Sequence, residues 1–296
     1  MKPIRYVVLF LFVTFCVSCI EAVDIEGQRL NKIVVNAMLS GADSVQYLTL
    51  SYNTALSVYT YDEVPQADVK LYCEGVYVGS YQRYAYGRWR LDYKPEENKE
   101  YHLTVEVEGY PQITAKTVVP DNNVGVFHHG IEFSKKPFSF SFNQQGFAHP
   151  YWLFLAMNDY RGSQTPNLEP VTGLIESVGT THPFADRFNL SGVMMENGTT
   201  EEHIGYVRID NQRVDPTFPF TVEGWLADHC VVFRNASEEY DRYMKTSIQK
   251  AILYNEEYDI ARWFDESVIY SNIENGLGIF AGYNDSVCFI VYLGTE

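Results

Sequence analysis

The chain has 296 residues, with 38 acidic against 22 basic side chains, for a formal charge of −16. That balance argues against a nucleic-acid binder, because phosphate binding rests on Lys and Arg releasing counterions, and an anionic membrane surface repels it as well. The hydrophobic share of 46% and the length suffice for one large or two modest domains with proper cores.

At the N-terminus Lys2 and Arg5 precede an apolar run, Val7–Val17. A helix crossing the bilayer needs about 20 apolar residues, so this run is too short to span. A charged start, a short apolar core and the small Ser18 before Cys19 read as a lipoprotein signal peptide over residues 1–18, with Cys19 lipidated. Cys16 follows the bulky Phe15 and suits cleavage less well. It also stands where a lipobox usually has Leu, so an ordinary secreted protein cut near Ser18 is the competing reading. Loss of Lys2 and Arg5 with the leader leaves the chain more acidic by two charges. Stable anchoring takes more than one acyl chain, which a multiply acylated cysteine provides. Residues 19–28 then form a lipidated acidic tether holding Glu21, Asp24 and Glu26. Such a stretch is a solvated spacer and also has the form of a surface-sorting signal of some bacterial lipoproteins.

Residues 29–120 read as an immunoglobulin-like β-sandwich, built of short strands with period-two alternation. Lys32–Leu39 is β-rich and ends at Gly41–Ser44. Leu48, Leu50 and Tyr52 then oppose Thr49 and Ser51. Val69, Leu71 and Cys73 alternate, which makes Cys73 a core thiol. Trp89, Leu91 and Tyr93 oppose Arg90 and Asp92. Tyr101, Leu103, Val105 and Val107 oppose His102, Thr104, Glu106 and Glu108. Ile113–Val119 closes the set at Pro120.

Asp121–Asn123 reads as a linker into a β-rich C-terminal domain over residues 121–296. Phe138, Phe140 and Phe142 alternate with serines, and Tyr151–Met157 is a continuous apolar run. Thr165–Asn211 is loop-rich, and Cys230–Phe233 is a further strand. The spacing of Tyr240, Tyr243, Met244, Ser247, Ile248, Ala251 and Ile252 predicts one amphipathic helix near 236–254. Asn235 and Glu238 stand at capping-box distance before it. The end of the chain carries two strand-like runs, Gly278–Ala281 and Val287–Leu293. Cys73, Cys230 and Cys288 are too odd a number for a complete disulfide framework. Whether Cys230 and Cys288 pair stays open.

No serine-hydrolase elbow, phosphate loop, His-Glu-x-x-His, EF-hand or Cys-x-x-Cys occurs, so no catalytic residue, cofactor or metal site is assigned. His128 and His129 are adjacent, and strand neighbours point to opposite faces, so only a turn would let them share a metal. His102 and His203 read as surface residues. The compositional oddity is the aromatic content, with 23 Tyr, 18 Phe and 4 Trp. Rigid, amphipathic tyrosines on loops can form a recognition surface, although Tyr also simply favours strands. Tyr59, Tyr61, Tyr77, Tyr81, Tyr84 and Tyr86 are the candidate ligand contacts.

Three stretches carry a resemblance to a family. They are Ser18-Cys19-Ile20-Glu21 leading to Lys32-Ile33-Val34-Val35-Asn36, the segment from Tyr101 to Pro120, and Tyr270-Ser271-Asn272-Ile273-Glu274-Asn275-Gly276-Leu277-Gly278-Ile279-Phe280. The last is the most specific. The chain resembles the Bacteroidota lipoproteins catalogued as domain of unknown function 4249. Members usually have Gly where this chain has Ala37. The resemblance implies an envelope lipoprotein, often encoded beside a TonB-dependent outer-membrane transporter, and it brings no catalytic residues. Two Asp-Ser-Val tripeptides, at Asp43 and Asp285, fit a short O-glycosylation pattern of exported proteins in that phylum. The expected role is a non-catalytic accessory binding lipoprotein, at the outer membrane and exposed on the cell surface, serving a TonB-dependent β-barrel. A structural or adhesive surface protein is the alternative. In Asn275–Phe280 the glycines and asparagines read as turn and packing residues first and as a partner contact second.

Overall fold

A computed structural model of the chain describes residues 32–53, 62–122, 125–127, 138–143, 150–157, 179–180, 185–193, 202–209, 220–224, 229–255 and 268–289. These residues are mostly β. Eight strands come from the first 120 residues: β1 (Ile33–Ser40), β2 (Val45–Tyr52), β3 (Asp68–Cys73), β4 (Val76–Ser80), β5 (Gln82–Ala85), β6 (Arg88–Asp92), β7 (Lys99–Glu106) and β8 (Ile113–Val119). Then follow β9 (Gly125–Phe127), β10 (Phe138–Asn143), β11 (Tyr151–Met157), β12 (Gly179–Thr180), β13 (Ala185–Val193), β14 (Glu202–Ile209), β15 (Phe220–Gly224) and β16 (His229–Ala236). Helix α1 (Glu238–Asn255) and β17 (Leu277–Phe289) complete the order.

A nine-stranded sheet runs β13-β14-β11-β16-β17-β1-β2-β6-β5, beside two four-stranded sheets, β12-β15-β10-β9 and β4-β3-β7-β8. The large sheet crosses the boundary expected at residue 120. Its centre is β17, which pairs parallel with β1 from Leu277 to Tyr283 and antiparallel with β16 from Tyr283 to Phe289. The linker residue Asp121 is tied to the same sheet, since Asn235 Nδ2 donates to its carbonyl at 2.9 Å. In the β16–β17 register Cys230 lies opposite Phe289 and Cys288 opposite Val231, so the two cysteines are not cross-strand partners.

The period-two alternation places one side of β1, β2, β3, β6, β7 and β8 in a sandwich core. Ile33, Val35, Ala37 and Leu39 of β1 and Leu48 and Leu50 of β2 meet Val69, Leu71, Leu103, Val105 and Ile113 of the opposing sheet. Phe280 and Ile273 join this core from the far end of the chain, and Cys73 packs against it partly buried. The stretch that reads as loop-rich holds a strand pair, β13 with β14. Its sequence is dotted with Asn, Ser and Gly, and a bulge between Leu190 and Val193 breaks the alternation that would mark a strand.

The other face of the large sheet carries α1. Tyr240 and Ile248, with Tyr243 and Met244, pack on Trp152, Ala236, Ile279 and Ala281. The cap differs from the one read in the sequence. Ser237 holds the N-cap position, and its Oγ accepts the Tyr240 N–H at 3.2 Å, while Asn235 is still in β16. Glu238, Glu239 and Asp241 in the first turn suit the positive end of the helix dipole. Beneath the helix two arginine–carboxylate pairs are buried. Arg208 Nη2 meets Asp241 at 2.8 Å, and Trp152 Nε1 donates to the same carboxylate at 3.0 Å. Arg234 grips Asp285 with two bonds of 2.8 Å and donates to the Tyr240 hydroxyl. No helix among the described residues is long and apolar enough to cross a membrane.

Candidate functional site

Residues of the large sheet that do not face the sandwich core face the side that carries α1. The helix packs on β17, β13 and β16, Met38 of β1 borders its cluster, and among the described residues no element lies over the β2, β6 and β5 strands beyond it. There the alternation sets out ordered rows. Asn36 of β1 pairs with Thr49 of β2, and Thr49 with Arg88 of β6. One row on, Tyr47 pairs with Arg90, and Arg90 with Gln82 of β5. The shift between Arg83 and Ala85 in the β5–β6 register is a bulge at Tyr84, and it brings the Tyr84 ring within 5.9 Å of the Tyr47 ring. Tyr47 is 48% exposed and Tyr84 60%. A groove of about 630 Å³ lies over these strands, with Asn36, Met38, Asp43, Tyr47, Tyr84 and Arg88 in its lining and Tyr283 at its wall.

Each part of the groove is held from behind. The turn carrying Asp43 is fixed by buried Gln46, whose Nε2 donates to the carbonyls of Ser40, Asp43 and Tyr93 and whose Oε1 accepts the Ser40 N–H at 2.9 Å. The β5–β6 turn is fixed by Glu63. Its carboxylate accepts the Gly87 N–H and pairs with Arg83 at 2.7 Å. These contacts, Gly87 first, hold the Glu63 carboxyl below the ordinary carboxylate range. At the wall, the Arg234 guanidinium stacks 3.8 Å from the Tyr283 ring. Burial pushes the Tyr283 hydroxyl up to about 12, although Arg234 works the other way. Burial opposes the charge of Arg234 itself, but Asp285 and Tyr240 outweigh it and keep the guanidinium charged.

The charges at the groove differ in how they are spent. Arg90 lies 5.7 Å from the Tyr84 ring and is paired with Asp92 at 2.7 Å. Arg88, on the same face, has no carboxylate partner, and Asp43 at the other end has no cationic one, among the described residues. The side chains of Asn36 and Thr49 are likewise unbonded there.

Of the tyrosines singled out from the sequence, Tyr84 lines this groove. Tyr86, 63% exposed, sits on the adjoining turn. Tyr77, 54% exposed, lies on the opposite sheet beside Tyr72, which neighbours His102. Tyr81 is a correction. It is buried in the sandwich core at 2% exposure, its hydroxyl has no partner among the described residues and burial pushes that hydroxyl up, so it does not face a ligand at the surface. Tyr59, Tyr61, Cys19 and the pair His128–His129 lie outside the described residues. Among those described, no three His, Cys, Asp or Glu side chains converge on a point that could hold a metal ion. The sequence did not mark Tyr47 or Arg88, and it marked Asp43 only as the start of an Asp-Ser-Val tripeptide. The usable signal was phase: Tyr47 is out of step with Leu48 and Leu50, and Arg88 with Trp89 and Leu91.

The Asn272–Phe280 motif is accounted for by packing. Asn272 clasps the Phe280 backbone, donating to its carbonyl at 2.7 Å and accepting its N–H at 2.9 Å, and also donates to the Lys116 carbonyl. Asn275 turns through a positive φ of 60° and donates to the Gln112 carbonyl. A Cβ at Gly278 would stand 2.1 Å from the Val35 carbonyl oxygen, in a backbone conformation of φ +104°. The second Asp-Ser-Val is also structurally engaged, with Asp285 bound by Arg234 and Ser286 donating to the Asn122 side chain.

The sequence profile of one protein family, described as Domain of unknown function (DUF4249), matches residues 20–287. No curated protein and no solved structure matches the chain.

Proposed function

We propose that the chain, which belongs to the DUF4249 family over residues 20–287, is an outer-membrane lipoprotein that binds a ligand non-catalytically for a TonB-dependent transporter. The observation that carries this reading is the open groove. It is built on four hydrogen-bonded strands, flanked by two exposed tyrosines and braced from behind by Gln46 and Glu63. Sites on rigid strands with supported side chains are suited to recognition. Cys19 supplies the anchor in this reading, and the acidic tether holds the folded part off the membrane. The transporter enters through the genetic setting that the family resemblance implies.

We also take the sandwich to be immunoglobulin-like. Reading β1 to β8 as strands A, B, C, C′, D, E, F and G, the sheets become A-B-E-D and C′-C-F-G, the order of a constant-type domain with one added strand.

A structural or adhesive surface role is the second reading, favoured by the Tyr72–Tyr77 pair on the opposite sheet, where Tyr77 is exposed. One experiment separates the two. The tagged full-length protein is drawn gently in detergent from its native membrane, and its companions are identified by mass spectrometry. A stoichiometric β-barrel transporter is the expected result, and it should be lost when Cys19→Ser releases the protein from the membrane. Recovery of the protein without a barrel would overturn the uptake reading in favour of the adhesive one.

A further inference from the structure

Among the described residues the charged side chains lining the groove are Arg88 at one end and Asp43 at the other, and neither has an ion-pair partner. Among the arginines whose side chains are described, Arg83, Arg90, Arg208, Arg234 and Arg242 each have a carboxylate partner. Arg88 alone does not. Its planar fork is the side chain best matched to a carboxylate. At the opposite end Asp43 is held by the Gln46-pinned turn and pairs with no cation among the described residues. The local balance is one positive and one negative charge, so neither a simple anion nor a simple cation complements the groove. A ligand with a carboxylate at one end and an ammonium at the other does.

The spacing sets the size. Arg88 stands in the row of Thr49, whereas Asp43 lies beyond Val45. From Val45 to Thr49 the strand rises roughly 13 Å. An extended peptide rises about 3.3 Å per residue, so about four residues bridge the two ends. Between the ends lie Tyr47, Tyr84 and Met38, rings and a thioether able to hold an apolar side chain. Asn36 and Thr49 offer unspent amide and hydroxyl groups to peptide N–H and C=O groups.

We infer that the groove binds short unblocked peptides, with the C-terminal carboxylate at Arg88 and the N-terminal ammonium at Asp43. This rests on the groove being the binding face, as proposed above, and it adds the ligand class. The shared feature of such ligands is the pair of free ends, so the ends are what the test alters.

The probe is the tetrapeptide Ala-Phe-Ala-Ala, titrated calorimetrically into the full-length protein in detergent. Amidation of its C-terminus should weaken binding about tenfold on the native protein and leave Arg88→Ala unaffected, since that variant has already lost the partner. Acetylation of its N-terminus should do the same against Asp43→Asn. A folded Arg88→Ala protein must still bind the free peptide measurably and still discriminate against N-acetylation, as Asp43→Asn must against amidation, and a misfolded variant does neither. Equal affinity for free and doubly blocked peptide would overturn the inference, as would the absence of heat at millimolar peptide. If the peptide fails while a barrel still co-purifies, the ligand class falls and the uptake reading stands. If the peptide binds and no barrel is recovered, the reverse holds.

Discussion

Asn272 does the work of a neighbouring strand with one side chain. Its amide closes both hydrogen bonds on Phe280 and reaches across to Lys116 of β8. Phe280 itself is fully buried in the sandwich core. Asn272→Ala therefore strands a backbone N–H and a carbonyl at the core edge, and each unpaired buried group costs about 1–3 kcal/mol. We expect a loss of roughly 2 kcal/mol or more in urea unfolding, with any residual folded protein still able to bind partner. Unchanged stability with lost partner binding would move this residue from the frame to an interface. The asparagine–glycine motif was legible as a special place, because its residue types serve turns and close approach. What each residue touches was not, since Phe280, Lys116 and Gln112 are contacts of the tertiary fold. The same limit explains Tyr81 and Tyr84. Three residues apart in one Tyr-rich run, one fills the core and the other the groove, since positions an odd number apart in extended chain face opposite ways, and composition alone does not say which face is which.

The β5–β6 hairpin is the element that presents Tyr84 and Arg88. All four residues of β5 are exposed, and it is the end strand of the large sheet, so little packing holds it. Its anchorage is polar: Leu50 N–H donates to the Gly87 carbonyl at 3.0 Å, and Glu63 takes the Gly87 N–H and Arg83. Glu63 titrates below its ordinary value of 4.5, chiefly through the Gly87 bond. A depressed carboxylate stabilises the folded form fully above the ordinary value, and that contribution is lost as pH falls through the lowered one. Amide exchange at Gly87, corrected for its intrinsic pH dependence, should speed up on acidification in the native protein. In Glu63→Gln it should be fast throughout with no such step. Identical profiles for the two proteins would remove Glu63 from this role. Elements of this protein were legible where one face is buried and the alternation is clean, as in Ile113–Val119, or where the run is continuously apolar, as in Tyr151–Met157, and these match β8 and β11 in both bounds. Helix α1 was legible by its stripe. Its cap was not, because Ser237 and Asn235 are both good capping residues and only the reach of β16 through Ala236 selects Ser237.

At the scale of the whole molecule the governing fact is the place of β17. It is among the last strands of the chain, yet it lies between β1 and β16 and contributes Phe280 to the core of the N-terminal sandwich. Short-range pattern can show that Leu277–Phe289 is β, but a parallel partner from the other end of the chain leaves no local trace. The exposed edge of β8 is closed by the same region, through paired backbone bonds between Thr114 and Glu274. A chain ending at residue 120 therefore lacks the second partner of β1, the cover of β8, and Phe280 and Ile273 from its core. Open edges of this kind invite aggregation. We expect residues 20–120 produced alone to be unfolded or aggregated, with no dispersed amide spectrum. The full-length protein should lose the tertiary signals of Trp89 and Trp152, one in each half, in a single thermal transition. Two separated transitions, or a well-folded fragment, would show that the sandwich stands without β17 and that the shared sheet joins two independent units.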